Sequence, residues 1–506
     1  VRFAIDHWNS LLAGTDTSAM CGRLSAQMRE RRLRFGDRVV CPFLRPFFLD
    51  AADEARVRGV AEMLWRLGER VAAEAIGTPQ MLADLALSDD EIRLAQIDPG
   101  YGTTSTAARA DAFILPDSLQ FAEYNAESPA GLGYSQLLAE LFDGEQVMAA
   151  FRERFDVRFA RPIEALLEAL LASYREWGGT ASPPRIAIVD WREVPTFSEF
   201  EILRDAFIAF GVPTVICDPR DLEFAAGSRF PPPLRSFSEE LRRDQAEAPG
   251  AKAGSAGTGR GLYANGERID LVYRRVLIND ILARQTECRA LLDGYRSRTV
   301  CVANSLRCKI PHKKAFFAVL TDQRYAGLFA PAEREMIRQH VPWTTMVEER
   351  RVSVAGQSVD LVAHLRANRD RFVIKPNDEY GGTGVTLGWE TSETDWDAAI
   401  ARALAERDPS TPLGAGRGWV AQERIAVRRE EFPVCGARSA APSGSAKASA
   451  ERVTRSDMLV DFAPYIFGGK LAGYLTRLSA TGLANVTSGG GQVPAFIVQS
   501  KTGSRS

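Results

Sequence analysis

The chain has 506 residues, 45 % of them hydrophobic and 25 % charged, with a net charge of −2. This length exceeds one hydrophobic core and predicts two or three packed subdomains of a globular protein. The near-zero charge argues against a broad nucleic-acid surface, and no stretch approaches the roughly 18 uncharged apolar residues of a membrane span.

At the start, Asp6, His7 and Asn9 interrupt the apolar stretch of residues 1–14, unlike a secretory leader. The seven cysteines are odd in number and form no C-x-x-C. They predict neither a disulfide framework nor a zinc site, and they point to a reducing cytoplasm. Residues 51–75, rich in Ala, Glu, Arg and Leu without proline, predict a long helix.

Next comes RAD at 109–111, followed by FAEYNAESPAG at 121–131. Residues 113–115 and 119–122 read as paired strands about the turn 116–118. Glu123 and Asn125 then share a face by period two, with Asp111 within reach of it from the neighbouring strand. Two carboxylates and an amide oxygen are the hard ligands that Mg²⁺ prefers, although Glu and Asn also alternate on ordinary solvated strands.

A helix is predicted over 162–177, with Pro162 in its first turn and Gly178-Gly179 at its end. Beyond it, strand 185–190, helix 197–210 and strand 214–217 read as a βαβ unit with a right-handed crossover. The Ala/Gly/Ser-rich stretches 245–261 and 436–450 read as exposed loops.

In FVIKPNDEYGGTGV (372–385) an apolar strand delivers Lys375, Pro376 stops the ladder, and Gly381, Gly382 and Gly384 form a loop before a second strand. Glycines let backbone N–H groups approach phosphate oxygens, and the lysine adds a point charge. The lysine precedes the glycines, so this is not a Walker A loop; a β-hairpin with a glycine turn is the competing reading. WVAQERI (419–425) reads as a strand entering the polar pair Gln422-Glu423. GYLTRLS (473–479) carries Arg477, suited to bidentate phosphate clamping, ahead of the Gly-rich NVTSGGG (485–491).

In this order the four elements resemble the circularly permuted ATP-grasp family, of which the synthetase part of glutathionylspermidine synthetase is a member. The resemblance covers residues 109–491 and includes VDWREVPTFSE (189–199) and IDLVYRR (269–275). It implies a fold combining α/β and α+β parts: a circularly permuted ATP-grasp fold with a βαβ pre-ATP-grasp-like subdomain. The parts are a helical segment with a metal- and substrate-facing hairpin (1–184), the βαβ subdomain (185–300) and the nucleotide-binding part with a Gly-rich lid (301–506).

The resemblance also implies roles. Asp111, Glu123 and Asn125 would hold Mg²⁺ between ATP phosphates. Arg109 would face the acceptor carboxylate or the transferred phosphoryl group, with Arg477 and Asn485 as C-terminal phosphate and metal contacts. Lys314 or its neighbour Lys313, together with Lys375, would bind phosphate beneath the loop of Gly381, Gly382 and Gly384. Gln422 and Glu423 would lie on the adenine side. The implied activity is an ATP-dependent carboxylate–amine ligase forming an amide through an acyl phosphate, with a small-molecule or peptide carboxylate and an amine as substrates. The alternatives are a kinase-like phosphoryl transferase and a non-catalytic nucleotide-binding protein.

Overall fold

A computed structural model describes residues 1–115, 118–226, 259–354, 356–379, 381–406, 418–435, 454–481 and 490–501. Asn485, the turn residues Pro116 and Asp117, and most of both Ala/Gly/Ser-rich stretches lie outside these residues.

The predicted long helix is α1 (Ala51–Gly77). The Asp50 carboxylate caps it by accepting the Asp53 N–H, which satisfies one of the first-turn donors that no helical carbonyl reaches. Val57, Val60, Ala61, Leu64, Leu67 and Val71 recur at helical spacing and are buried. The hairpin follows as β1 (Ala107–Ile114) and β2 (Leu119–Asn125), longer than its predicted strands. Helix α2 (Pro162–Glu176) starts at the predicted proline.

The βαβ unit is β3 (Ile186–Val189), α3 (Phe197–Ala209) and β4 (Thr214–Cys217). With β5 (Leu271–Arg274) and β6 (Cys301–Ala303) it makes a parallel sheet of order β6-β5-β3-β4. The β3 and β5 side chains are buried throughout, as expected of a parallel sheet covered on both faces.

Two short helices come next, α4 (Lys309–His312) and α5 (Ala315–Thr321). An antiparallel sheet of order β7-β10-β8-β9 is then built from β7 (Thr344–Met346), β8 (Phe372–Pro376), β9 (Thr386–Leu387) and β10 (Trp419–Glu423). The last strands are β11 (Arg429–Val434), β12 (Thr454–Phe467), β13 (Lys470–Ser479) and β14 (Gly491–Val493). They join the hairpin in one six-stranded sheet: β14-β13-β12-β1-β2, with β11 also on β12. Residues more than 300 positions apart are thereby placed side by side, for example Tyr465 opposite Arg109.

Cys21 and Cys435 form a disulfide, which corrects the expectation of a chain without one. The pairing joins residues 414 apart, and no local spacing reveals it. It arises because the segment after the N-terminal helices lies along β11, with Phe43 bridging to Val434 and the Cys435 N–H donating to the Pro42 carbonyl. The other five cysteines are free and buried. Among the described residues no helix is long and apolar enough to cross a membrane.

Candidate nucleotide cleft and acceptor crevice

The antiparallel β7–β10 sheet and the six-stranded sheet face each other across a cleft. Strand β8 delivers Lys375 into it. The Lys375 ammonium donates to Gln422 Oε1 (2.7 Å) and to the Ala122 carbonyl (3.2 Å). Both partners follow from register. Lys375 lies opposite Val420 and Val373 opposite Gln422, so Lys375 and Gln422 are diagonal neighbours on one sheet face. Asp111 pairs with Glu123 but Ala112 pairs with Phe121. Ala122 is therefore the extra residue of a bulge, and its carbonyl is free of the ladder.

Loss of solvation pushes the Lys375 amine down to about 8; Lys314 adds to the effect and Glu123 opposes it. A polyanion binds the charged amine. Its affinity is therefore full below pH 8 and falls as the pH rises through that value, approaching about tenfold per pH unit. Calorimetric titration of a nucleotide between about pH 7 and pH 9.5 checks this, and Lys375→Arg, which stays charged, flattens the profile.

The two adjacent lysines are placed apart. The Lys314 ammonium reaches the Glu379 carbonyl (2.5 Å) and lies 3.5 Å from Glu123 in the cleft. Lys313 is buried on Glu91 (2.8 Å) and Asp378 (2.7 Å). Gly381 and Gly382, both at positive φ, line the cleft, and a Cβ on either would meet no atom within 4 Å. Gly384 is different. A Cβ there would come within 2.8 Å of the Pro376 ring, so it lets the loop fold back on the strand end.

Facing the lysines, Asp111 and Glu123 lie opposite each other on the hairpin. Arg109 spends its guanidinium on Asp111 (2.7 and 3.1 Å) and on the Ala130 carbonyl (2.9 Å), behind the cleft wall. Arg477 lines the cleft, donating to Asp111 (2.6 Å) and to Asp461. Burial alone would raise the Asp111 carboxyl; Arg109 and Arg477 overcome it and hold the group below the usual range. Burial raises Asp461 to about 6, with Asp111 adding to the effect against Arg477. Asn125, opposite Arg109 on the hairpin, does not line the cleft.

Among the described residues no cluster of three or more His, Cys, Asp or Glu could alone hold a metal ion. Glu123 and Asp111 are hard-oxygen donors beside two lysines and an arginine. That set fits Mg²⁺, which keeps several waters and takes phosphate oxygens besides one or two carboxylates. Val373, Leu387, Trp389, Ile425 and Val427 also line the cleft and supply its apolar surface. The Gln422 side chain is held by Lys375 and Thr344, and Glu423 by Arg371.

Several site residues have no counterpart in the sequence reading. Asp461 is signalled only as a charge inside the otherwise apolar run 458–463. The Ala122 carbonyl has no sequence signal at all. In the parallel sheet, β3 connects outward to β4 and β5 outward to β6 on the other side, so strand order reverses between β3 and β5. Crevices at such reversals, beyond the carboxyl ends of the strands, are where open α/β sheets bind ligands. Asp190 and Arg275 stand there. Burial raises the Asp190 carboxyl to about 6. Arg275 donates to Tyr273 (3.1 Å) and to the Pro129 carbonyl, and its buried Nε has no partner. Segment 129–131 links crevice to cleft, since the Ala130 carbonyl accepts from Arg109 and from Tyr465 (2.9 Å). Gly131 sits at φ 92°, with Leu475 and Tyr465 3.1 Å from where a Cβ would stand.

No family model matches the chain. A Frankia alni protein with a provisional glutamate–cysteine ligase name is 24 % identical over 236 residues, which is 45 % of this chain. The chain matches only 24 % of that protein's length. Among solved structures, a glutathione synthetase-like effector from Globodera pallida in its apo form superposes with a TM-score of 0.53 at 11 % identity, covering 96 % of this chain and 98 % of that one. A provisionally named gamma-glutamylcysteine synthetase from Methylobacillus flagellatus covers 80 % and 84 %, at 11 % identity and a TM-score of 0.36. The chain shares the mixed α/β fold of the Globodera pallida effector.

Proposed function

We propose that the chain is an ATP-dependent carboxylate–amine ligase of circularly permuted ATP-grasp type. The observation that carries this reading is the composition of the cleft. Lys314, Lys375 and Arg477 line it with Glu123 and Asp111, and Val373, Leu387, Trp389, Ile425 and Val427 give it an apolar wall. A ligand that is polyanionic in one part and planar and apolar in another uses both. The crevice of Asp190 and Arg275, joined to the cleft by 129–131, suits the carboxylate substrate or its amine partner. The two glutathione-related names among the similar proteins fit an amino-acid-like or peptide substrate.

In this reading Glu123 and Asp111 would hold Mg²⁺, and Mg-ATP supplies the activation of the carboxylate as an acyl phosphate. Lys375 and Lys314 offset charge on the phosphates, and Arg477 does so at the transferring group. The loop of Gly381, Gly382 and Gly384 covers them and excludes water, which would otherwise hydrolyse the activated carboxylate.

The test is product analysis with Mg-ATP, hydroxylamine and pools of small carboxylates, glutathione among them. A ligase yields ADP, phosphate and an acyl hydroxamate in equal amounts, because hydroxylamine stands in for the amine. ADP with a stable phosphorylated product and no free phosphate would replace the ligase with a kinase.

A further inference from the structure

Between Lys375 and the glycine loop lies Asp378, which neither pocket exposes as a ligand. Its carboxylate is held at both oxygens: Lys309 Nζ is 2.8 Å from Oδ1, and Lys313 Nζ is 2.7 Å from Oδ2. Both lysines are almost wholly buried, as are their other partners Glu91 and Glu127. Burying such charges is costly unless every one is paired, and removing one partner leaves the rest uncompensated. The network is closed in that sense. Glu127 also faces Arg274 (3.4 Å) and accepts the Ile278 N–H.

Two further contacts give the cluster direction. Asn377, next to Asp378, accepts the Ala315 N–H (2.8 Å), donates to the Leu85 carbonyl (3.0 Å) and accepts the Lys314 N–H on its own carbonyl (3.0 Å). The stem that carries Lys375 is thus nailed to the α4–α5 junction that carries Lys314, while a Cβ on Gly381 or Gly382 beyond it would meet no atom within 4 Å. From the opposite side, Asn279 donates to Asp378 Oδ2 (3.1 Å). Asn279 is exposed and lies on the segment that follows β5. A single carboxylate therefore touches both the elements that aim the cleft lysines and the segment after β5.

We propose that Asp378 is a positioning residue that fixes the stem of the glycine loop and, through its contact with Asn279, couples that stem to the segment after β5. The inference rests on the reading of the cleft as a nucleotide site. Loss of that contact loosens the stem.

The experiment is calorimetric titration of the full chain with Mg²⁺ and a non-hydrolysable ATP analogue. Asp378→Asn is expected to weaken binding by about tenfold, and Asn279→Asp, which sets two carboxylates together, by about threefold. Asn279 is exposed and outside the cleft, so Asn279→Asp should melt with the wild type and still bind more weakly, with faster amide exchange at 381–385. A merely structural role would not give that combination. Equal affinities for wild type, Asn279→Asp and Asp378→Asn overturn the coupling and leave the nucleotide site standing. Failure of the wild type to bind the analogue removes the nucleotide reading, and the coupling with it.

Discussion

Lys375→Ala is expected to cut nucleotide turnover by about 10³-fold or more while melting no lower than the wild type. The two halves of that result come from one fact. The amine sits where burial disfavours its charge, at about 8 against an ordinary 10.5. Below that value the lysine is charged in both folded and unfolded chains, and the folded state bears the cost of stripping its water. Between the two values the unfolded chain binds more protons, so stability rises with pH across that window. Alanine relieves the cost. It also removes the ammonium that donates to both the Gln422 side chain and the Ala122 carbonyl. A residue whose removal leaves stability intact and ends activity is retained for the chemistry. ADP release together with a thermal melt decides the matter; a fully active variant removes Lys375 from the phosphate site.

Glu123→Gln is expected to raise the Mg²⁺ concentration for half-maximal turnover by about tenfold and to lower the maximal rate by about 10²-fold. The substitution keeps the shape and removes the charge. Asp111 compensates only in part, because Arg109 and Arg477 already draw on both its oxygens, whereas Glu123 faces the Lys314 ammonium at 3.5 Å. Turnover measured across a Mg²⁺ series tests this, and an unchanged metal requirement takes Glu123 out of the metal site.

What the sequence made legible was local. The long helix, the hairpin, the βαβ unit and the strand–lysine–glycine segment each carry their signal within about fifteen residues: an apolar period, a proline, a run of glycines. Side-chain direction was less accessible. Gln422 sits on the predicted strand, yet its amide is held by Lys375 because ladder register puts it diagonally across. Lys313 and Lys314 are indistinguishable as text; the turn between α4 and α5 buries one and aims the other at Glu123. Asp461, the Ala122 carbonyl and the Cys21–Cys435 pair depend on partners hundreds of residues away, which no window encloses. Arg109, read as facing a substrate, lies one layer behind Asp111, where Arg477 from the far end of the sheet takes the exposed position.

The pairing of β1 with β12 also bears on when the site comes into being. Asp111 and Arg477 are 366 residues apart, and Ala122 and Lys375 are 253 apart. During synthesis the hairpin emerges early, and its free edge must wait for β12 and β13. Contacts of such separation form late and slowly, because the chain between must be ordered before they repay it. A ribosome-bound fragment ending at the glycine loop has its lysines but neither Arg477 nor the sheet that presents Asp111. In the nucleotide reading, the site is therefore assembled only after β13 has been made. The same unpaired edge makes the interval before β12 arrives the one in which the chain most needs protection from association with other chains.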